Sequence, residues 1–238
     1  MAKVLLFCFI ILGCVRLFAQ DTEQRLLIDG SIREYMQIVK DKSTLYYGIE
    51  QKGYLRSIHH PYFVSAEYVK ARLSYRQIIY PEVSLRLDLN RNELVILSPE
   101  GQNIVLFPEN VDYAELYGRN VIFFRADSMP GCPSSGYYFV LHSGKCTVME
   151  KQSCTTKKKE NMSGDIEYSF PLSINYYLYK DGIYHKIKNK KSLLNVLKPY
   201  KKELRRFISS NRLQFRRNAV ELLTWTVNEY EKLSESLL

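Results

Sequence analysis

The chain lacks the short motifs that identify most enzyme classes. Its 238 residues contain no Cys-x-x-Cys, no His-Glu-x-x-His, no Gly-x-Ser-x-Gly and no glycine-rich phosphate loop, and they include four histidines and one tryptophan. These absences exclude the zinc, metalloprotease, serine-hydrolase and nucleotide-binding classes that such spacings define. The sequence therefore predicts no catalytic residue, no cofactor and no metal ligand.

Long apolar runs are also missing. The longest, Val4–Leu12, follows Lys3 and is too short for a membrane-spanning helix, which needs about 20 residues. Leu17-Phe18-Ala19 then offers a small residue to a signal peptidase. The pattern predicts a signal peptide over residues 1–19, cleaved between Ala19 and Gln20, and a remainder without a transmembrane span.

A second interpretation of the same segment is a lipoprotein signal. Ile11-Leu12-Gly13-Cys14 is similar to a bacterial lipobox, and lipidation would leave Cys14 as the N-terminal residue. The bulky Leu12 and the apolar character of Val15–Phe18 fit this interpretation less well than cleavage after Ala19. We therefore expect a periplasmic or secreted protein, with a membrane-anchored lipoprotein as the alternative.

Cysteine is scarce once the signal is removed, because only Cys132, Cys146 and Cys154 remain. In an oxidising compartment three cysteines allow one disulfide and one spare thiol. Cys132 and Cys146 flank residues 136–144, which are predicted to form one strand and its turn, so a bond between them would join neighbouring strands. A bond between Cys146 and Cys154, or a free buried thiol, is the alternative.

Short β-rich runs separated by turn residues extend from about residue 62 to residue 187. Asp181-Gly182 supplies the positive φ of a tight hairpin turn, and Asp88–Asn92, although it begins like a calcium loop, lacks the required sixth-position glycine and is better explained as a turn. Strict alternation places four apolar side chains on one buried face: Val83, Leu85, Leu87 and Leu89. We predict an antiparallel β-meander that forms a curved sheet or a partly closed barrel.

After Lys191 apolar residues no longer recur at every second position but about every 3.6 residues, the period of an α-helix. Ser192 is predicted to cap a helix over residues 193–197, Pro199 to begin a second that stops near Asn211, and a third to cover residues 215–236. Trp225 falls on the polar side of the last helix, where it is either packed by another element, which we favour, or exposed as a contact residue.

The predicted fold class is thus α+β, with the β-meander followed by two to three C-terminal helices. The chain divides into the signal peptide 1–19, a mixed N-terminal segment 20–61, the β-meander 62–190, and a helical segment 191–238 that packs on the sheet.

Basic residues concentrate at the C-terminal end of a chain whose net charge is +9. The window from Lys186 to Arg217 contains twelve basic residues and one acidic residue, Glu203. Such a surface attracts phosphate, anionic lipid headgroups or acidic glycans, whereas nucleic acid is a poor candidate partner for an exported protein. The predicted binding surface comprises Lys201, Lys202, Arg205, Arg206, Arg216, Arg217 and Trp225.

Nineteen tyrosines make the chain tyrosine-rich. Adjacent pairs such as Tyr137-Tyr138 and Tyr176-Tyr177 place one ring on each side of a strand, so one ring of each pair can reach solvent, a sugar or a protein partner. Stabilisation of the sheet by cross-strand aromatic pairs is the default interpretation.

Three stretches resemble exported proteins of unknown function that are common in Bacteroidetes. They are the end of the predicted signal peptide at Phe18-Ala19-Gln20, the strand pair Leu85–Ile96, and the basic segment Lys201–Ile208 with its continuation Leu213–Phe215. The resemblance implies a Gram-negative envelope setting, and it implies no catalytic residue.

We therefore expect a non-enzymatic cell-envelope protein that binds an envelope protein, a glycan or an anionic surface. One alternative is a carrier that holds a lipid or another apolar ligand in a cavity of the curved sheet. The other is a hydrolase whose catalytic groups lie in separate loops, for which the candidates are His59, His60, His142 and Cys132, the last as a thiol beside His142.

Overall fold

The computed structural model describes residue 31 and residues 44–54, 59–127, 131–160 and 166–235. The predicted signal peptide lies outside the described residues, as do its cleavage site at Ala19 and Gln20 and the alternative lipidation site at Cys14. Among the helices of the described part, none is long and apolar enough to cross a membrane.

The described residues form strands β1 to β13 and helices α1 to α3. The strands are β1 (Ile49–Glu50), β2 (Val69–Tyr75), β3 (Ile78–Asp88), β4 (Glu93–Leu97), β5 (Asn103–Val105), β6 (Val111–Leu116), β7 (Arg119–Phe124), β8 (Gly136–Ser143), β9 (Thr147–Cys154), β10 (Lys157–Glu160), β11 (Ile166–Ser169), β12 (Leu172–Lys180) and β13 (Ile183–Ile187). The helices are α1 (Lys190–Val196), α2 (Lys201–Ser210) and α3 (Ala219–Glu235).

Eleven of these strands form one antiparallel sheet in the order β1-β5-β4-β3-β2-β6-β7-β8-β9-β12-β13, and β10 pairs with β11 as a separate hairpin. Most neighbours in the large sheet are consecutive hairpins, as expected for a meander. The turn before β13 contains Asp181 with φ 50° and Gly182 with φ 78°, as the Asp-Gly pair predicts. The α+β prediction of a meander followed by helices is confirmed.

The sheet is strongly curved but does not close. Two irregularities in β2, between Ala71 and Leu73 and between Ser74 and Tyr75, bend it locally. The turn after β3 reaches the far end of β9, where the Cys154 N–H donates to the Leu89 carbonyl over 2.9 Å. Since β1 and β13 remain edge strands, the sheet is open.

The concave face of the curved sheet is filled by a first hydrophobic cluster, here called the sheet core. The alternation predicted for β3 is confirmed, because Leu85 and Leu87 are fully buried in this core. Phe63, which precedes β2, packs over the core with its ring centroid 4.5 Å from that of Phe139.

The opposite face of β3 is also covered, which the alternation alone did not predict. Asp88 is fully buried there and accepts hydrogen bonds from Gln51 Nε2 at 3.0 Å, from the Tyr54 hydroxyl at 2.7 Å, and from the Asn90 and Arg91 N–H groups at 2.9 Å. Its carboxylate therefore fixes both the β3–β4 turn and the segment 44–54.

The three helices lie against β8, β9, β12 and β13 and form a second cluster, here called the helix core, which includes Leu178, Leu204 and Val227. Asn189, rather than Ser192, caps α1: Asn189 Oδ1 accepts from the Ser192 N–H at 2.9 Å, and Ser192 Oγ accepts from the Asn189 N–H at 3.1 Å. The predicted cap residue is thus the third helical residue of a reciprocal capping box. The predicted stop at Asn211 is confirmed as the C-cap of α2.

Two local expectations were wrong. The polar composition of residues 155–164 predicts an exposed loop; Lys157–Glu160 instead forms strand β10, although all four of its side chains are exposed as expected, and residues 161–164 lie outside the described part. Trp225 was expected to pack against another element, yet its side chain is 49% exposed, because α3 buries Leu222, Leu223 and Val227 on the other side.

Candidate basic site on the helical layer

The helical layer carries a hollow between α1 and α2, here called the basic hollow. Its volume is about 340 Å³, and its lining consists of Lys190, Lys191, Leu194, Lys201 and Arg205. Buried leucines on the inner sides of both helices hold them together, so their lysines and arginines point outward around the hollow. Four cationic side chains therefore share one concave surface that has no acidic lining residue.

The cations of the basic hollow have no anionic partner within the described part of the chain. Lys201 Nζ donates to the neutral Asn195 Oδ1 at 2.9 Å, and none of the four cations lies within 4.0 Å of a described carboxylate oxygen. Like charges held this close repel one another, so an anion bound there would relieve unfavourable electrostatic energy.

The predicted surface residues divide into separate groups. Lys201 and Arg205 line the basic hollow, and Lys202 and Arg206 are exposed one position further around α2. The predicted list did not include Lys190 and Lys191, which precede the basic stretch of α2 in the sequence. The spacing of basic residues identified the charged window, but only the packing of α1 on α2 shows which lysines converge.

Arg216 and Arg217 line a different hollow of about 420 Å³, here called the Tyr176 hollow. Its other lining residues are Tyr176, Phe215, Asn218, Ala219, Val220 and Glu221. The rings of Tyr176 and Phe215 meet edge to face, with centroids 5.7 Å apart. Trp225 lines neither hollow.

A charged network lies beneath Tyr176. Glu150 of β9 is fully buried, and its Oε1 accepts from Arg119 Nη2 at 2.9 Å and from Gln152 Nε2 at 2.6 Å. Tyr176 lies directly opposite Glu150 in the β9–β12 register, and burial together with that carboxylate raises the pKa of Tyr176 to about 12. The guanidinium carbon of Arg119 lies over Phe139, 4.0 Å from its ring centroid. Since the carboxylate is surrounded by donors, it serves as a paired anchor rather than a free base.

The tyrosine pairs behave unequally. Tyr137 and Tyr138 are both buried, because the loop after β7 covers the second face of β8. Tyr176 and Tyr177 are both partly exposed, and in the pair Tyr46-Tyr47 the second ring is exposed, so these two pairs keep the accessibility that the sequence predicted for one ring of each pair.

The candidate hydrolase residues do not form one site. His142 Nε2 lies 3.1 Å from Glu231 Oε2 of α3, whereas Cys132 Sγ accepts from the Asp127 N–H at 3.3 Å. Cys132 lies in the loop before β8, whereas His142 is near the last residue of β8 and is bonded to α3, so the two side chains have different partners. His59 and His60 are exposed in the segment before β2, where His60 stacks on Tyr62.

The predicted disulfide is not formed, because Cys132, Cys146 and Cys154 are all free. Cys132 lies before the first residue of β8 and Cys146 lies after its last residue, so the two cysteines are not side by side on paired strands. Cys146 and Cys154 are likewise separated by the length of β9, about 26 Å. Cys146 belongs to the helix core and Cys154 to the sheet core. Burial raises the pKa of the Cys146 thiol to about 11.

No protein-family model matches the chain, and searches of curated proteins and of solved structures find no match.

Proposed function

We propose that the protein is an exported, non-enzymatic binding module of the cell envelope, and that the basic hollow recognises a phosphate-bearing anion. The observation that carries the proposal is the convergence of Lys190, Lys191, Lys201 and Arg205 on one hollow without an ion-pair partner among the described residues. A hollow of about 340 Å³ lies within the range of ligand sites, about 300–1,000 Å³.

The chemistry of the lining favours phosphate over a single carboxylate. A phosphate group spreads its negative charge over several oxygens in a compact tetrahedral group, which suits four cations around one hollow, and a guanidinium can donate two parallel hydrogen bonds to these oxygens. The buried Leu194 closes the floor of the hollow. A phospholipid headgroup and a soluble phosphate share this chemistry.

The proposal is tested by neutralising two cations of the hollow in the double variant Lys191→Gln/Arg205→Gln. Each basic residue near an anionic surface contributes about 1 kcal/mol, so the loss of two predicts about 30-fold weaker binding. The probes are vesicles of phosphatidylcholine with phosphatidylglycerol, and inorganic pyrophosphate in solution. Binding to both indicates a general phosphate site, and binding only to the vesicles indicates a lipid headgroup.

A matched control keeps the same change in net charge. Lys157→Gln/Lys158→Gln removes two exposed charges from β10, which contributes no residue to the basic hollow. This variant should bind as the unaltered protein does. Equal losses in both double variants, or no binding to either probe, would contradict the proposal.

The export part of the proposal is supported by the pattern of Lys3, Val4–Leu12 and Ala19. Mass spectrometry of the protein produced in a Gram-negative host should find Gln20 as the first residue. A lipid-modified Cys14 would support the lipoprotein alternative, and retention of Met1 would contradict export.

Absence of catalysis is supported by the separation of Cys132 from His142 and by the pairing of the Glu150 carboxylate. A purified protein that turned over any member of a broad panel of envelope substrates would contradict this part.

A further inference from the structure

The Tyr176 hollow combines three kinds of chemistry that the basic hollow does not. Tyr176 and Phe215 supply aromatic rings, Arg216 and Arg217 supply two cations, and Glu221 supplies a carboxylate. From this combination we infer that the hollow is a binding subsite for an acidic saccharide, a sugar ring that carries an anionic group. The inference does not depend on the basic hollow, because the two hollows share no lining residue.

The aromatic part of the hollow is held in a fixed position. Tyr176 lies directly opposite Glu150 on the neighbouring strand β9, and Arg119 and Gln152 both donate to that carboxylate. The Phe215 ring packs edge to face on Tyr176, with both rings partly exposed. A fixed, partly exposed aromatic surface favours the apolar face of a sugar ring, since little conformational entropy is lost when it is covered.

The charged part selects for an acid. Arg216 and Arg217 are exposed, and neither lies within 4.0 Å of a carboxylate oxygen of the described residues. A guanidinium donates two parallel hydrogen bonds to a carboxylate or a phosphate, and two adjacent arginines outweigh the single Glu221. An anionic substituent is therefore favoured over a neutral one.

The remaining polar groups suit hydroxyls. Asn218 Nδ2 donates to Glu221 Oε2 at 2.9 Å, and Asn218 Oδ1 accepts from the Gln214 N–H at 2.7 Å. These bonds fix both side chains at the wall of the hollow. Glu221 is thereby oriented to accept from the hydroxyl of a sugar, a role that an inorganic anion would leave unused.

Four probes separate the features of the ligand by calorimetric titration of the purified full chain. They are an oligosaccharide that contains glucuronate, a neutral glucose oligosaccharide of the same length, glucose 6-phosphate, and inorganic phosphate. The inference predicts that one or both acidic sugars bind, and that the neutral oligosaccharide and inorganic phosphate bind at least about tenfold more weakly.

Two variants assign the binding to this hollow. Arg216→Gln/Arg217→Gln should weaken binding of the acidic sugar about tenfold or more, and Phe215→Leu, which keeps apolar volume but removes the ring, should weaken it about fivefold. Lys191→Gln/Arg205→Gln in the basic hollow should leave binding of the acidic sugar unchanged. A failure of the saccharide inference can therefore be told apart from a failure of the proposed phosphate site.

Three results would overturn the inference. The first is that no acidic sugar binds, and the second is that the neutral oligosaccharide or inorganic phosphate binds as well as the acidic sugars. The third is that binding survives in Arg216→Gln/Arg217→Gln. Circular dichroism of each variant confirms that it is folded, and the exposed positions of both arginines make loss of the fold on their substitution unexpected.

Discussion

His142 and Glu231 join the sheet to the last helix: His142 Nε2 of β8 lies 3.1 Å from Glu231 Oε2 of α3. The other oxygen of the same carboxylate accepts from the Cys146 N–H at 2.7 Å, in the turn between β8 and β9. One side chain therefore fixes α3, and with it the helical layer that carries both hollows, to a hairpin of the sheet.

Glu231→Ala should lower the free energy of unfolding by about 2 kcal/mol, because it leaves the partly buried Cys146 N–H and His142 without their acceptor. Urea denaturation followed by circular dichroism measures the change. Lys145→Ala is the control, since it removes only an exposed ion pair with Glu235 at 3.3 Å and should cost less than about 1 kcal/mol. Equal costs for the two variants would show that Glu231 is not the anchor.

The three thiols should differ in reactivity. Cys132 is partly exposed, whereas Cys146 and Cys154 are buried, and burial raises the pKa of Cys146 to about 11. At neutral pH a thiol reagent should label Cys132 first and the other two only after denaturation. Peptide mapping under non-reducing conditions identifies each labelled site. Recovery of a peptide that links Cys132 to Cys146 would contradict the free thiols.

Stability should fall as the pH rises from about 10 towards about 12, in part because of Tyr176. Its pKa is raised to about 12 in the folded state, so between these values the folded protein keeps a proton that the unfolded chain has lost. The contribution of Tyr176 to the free energy of unfolding is fully present below its pKa in the unfolded chain. It is lost as the pH rises through its pKa in the folded protein.

Tyr176→Phe isolates that contribution, because it removes the hydroxyl and keeps the ring. Unfolding free energies at pH 9 and pH 11 should differ less in the variant than in the unaltered protein, when both are measured in urea. The same difference in both proteins would show that Tyr176 titrates as an exposed tyrosine does.

Asp88→Asn should destabilise the segment 44–54 more than the rest of the chain. Its buried carboxylate accepts from Gln51, Tyr54 and two N–H groups of the β3–β4 turn, and an amide replaces one acceptor oxygen with a donor. We expect a loss of about 2 kcal/mol and faster hydrogen exchange within residues 44–54. Unchanged exchange in that segment would contradict the role of Asp88.

Periodicity predicted the fold well where one face of a strand or helix is buried. The alternation of Val83–Leu89 gave the inner face of β3, and the Asp181-Gly182 pair gave the β12–β13 turn. It could not show that segment 44–54 covers the other face at Asp88, because that contact joins residues distant in sequence. Trp225 was placed correctly on its helix, but its exposure depends on which face α3 turns to the sheet.

The network beneath Tyr176 was missed for a related reason. Glu150 lies two residues from Val148 on β9, so the alternation of the strand places it on the same buried face. A charged residue at such a position was the one signal in the sequence for a buried network. Its partner Arg119 is 31 residues away and two strands distant in the sheet, which the sequence alone does not show. The basic window was predicted, whereas its division into two hollows required the packed helices.

Phosphate binding by the basic hollow is tested by the affinity of Lys191→Gln/Arg205→Gln for phosphatidylglycerol vesicles, compared with that of Lys157→Gln/Lys158→Gln at low and at physiological ionic strength. If the basic hollow binds phosphate, only the first variant loses affinity, and the difference shrinks as salt screens charges beyond about 8 Å. Equal affinities of the two variants at low salt would contradict phosphate binding by the basic hollow.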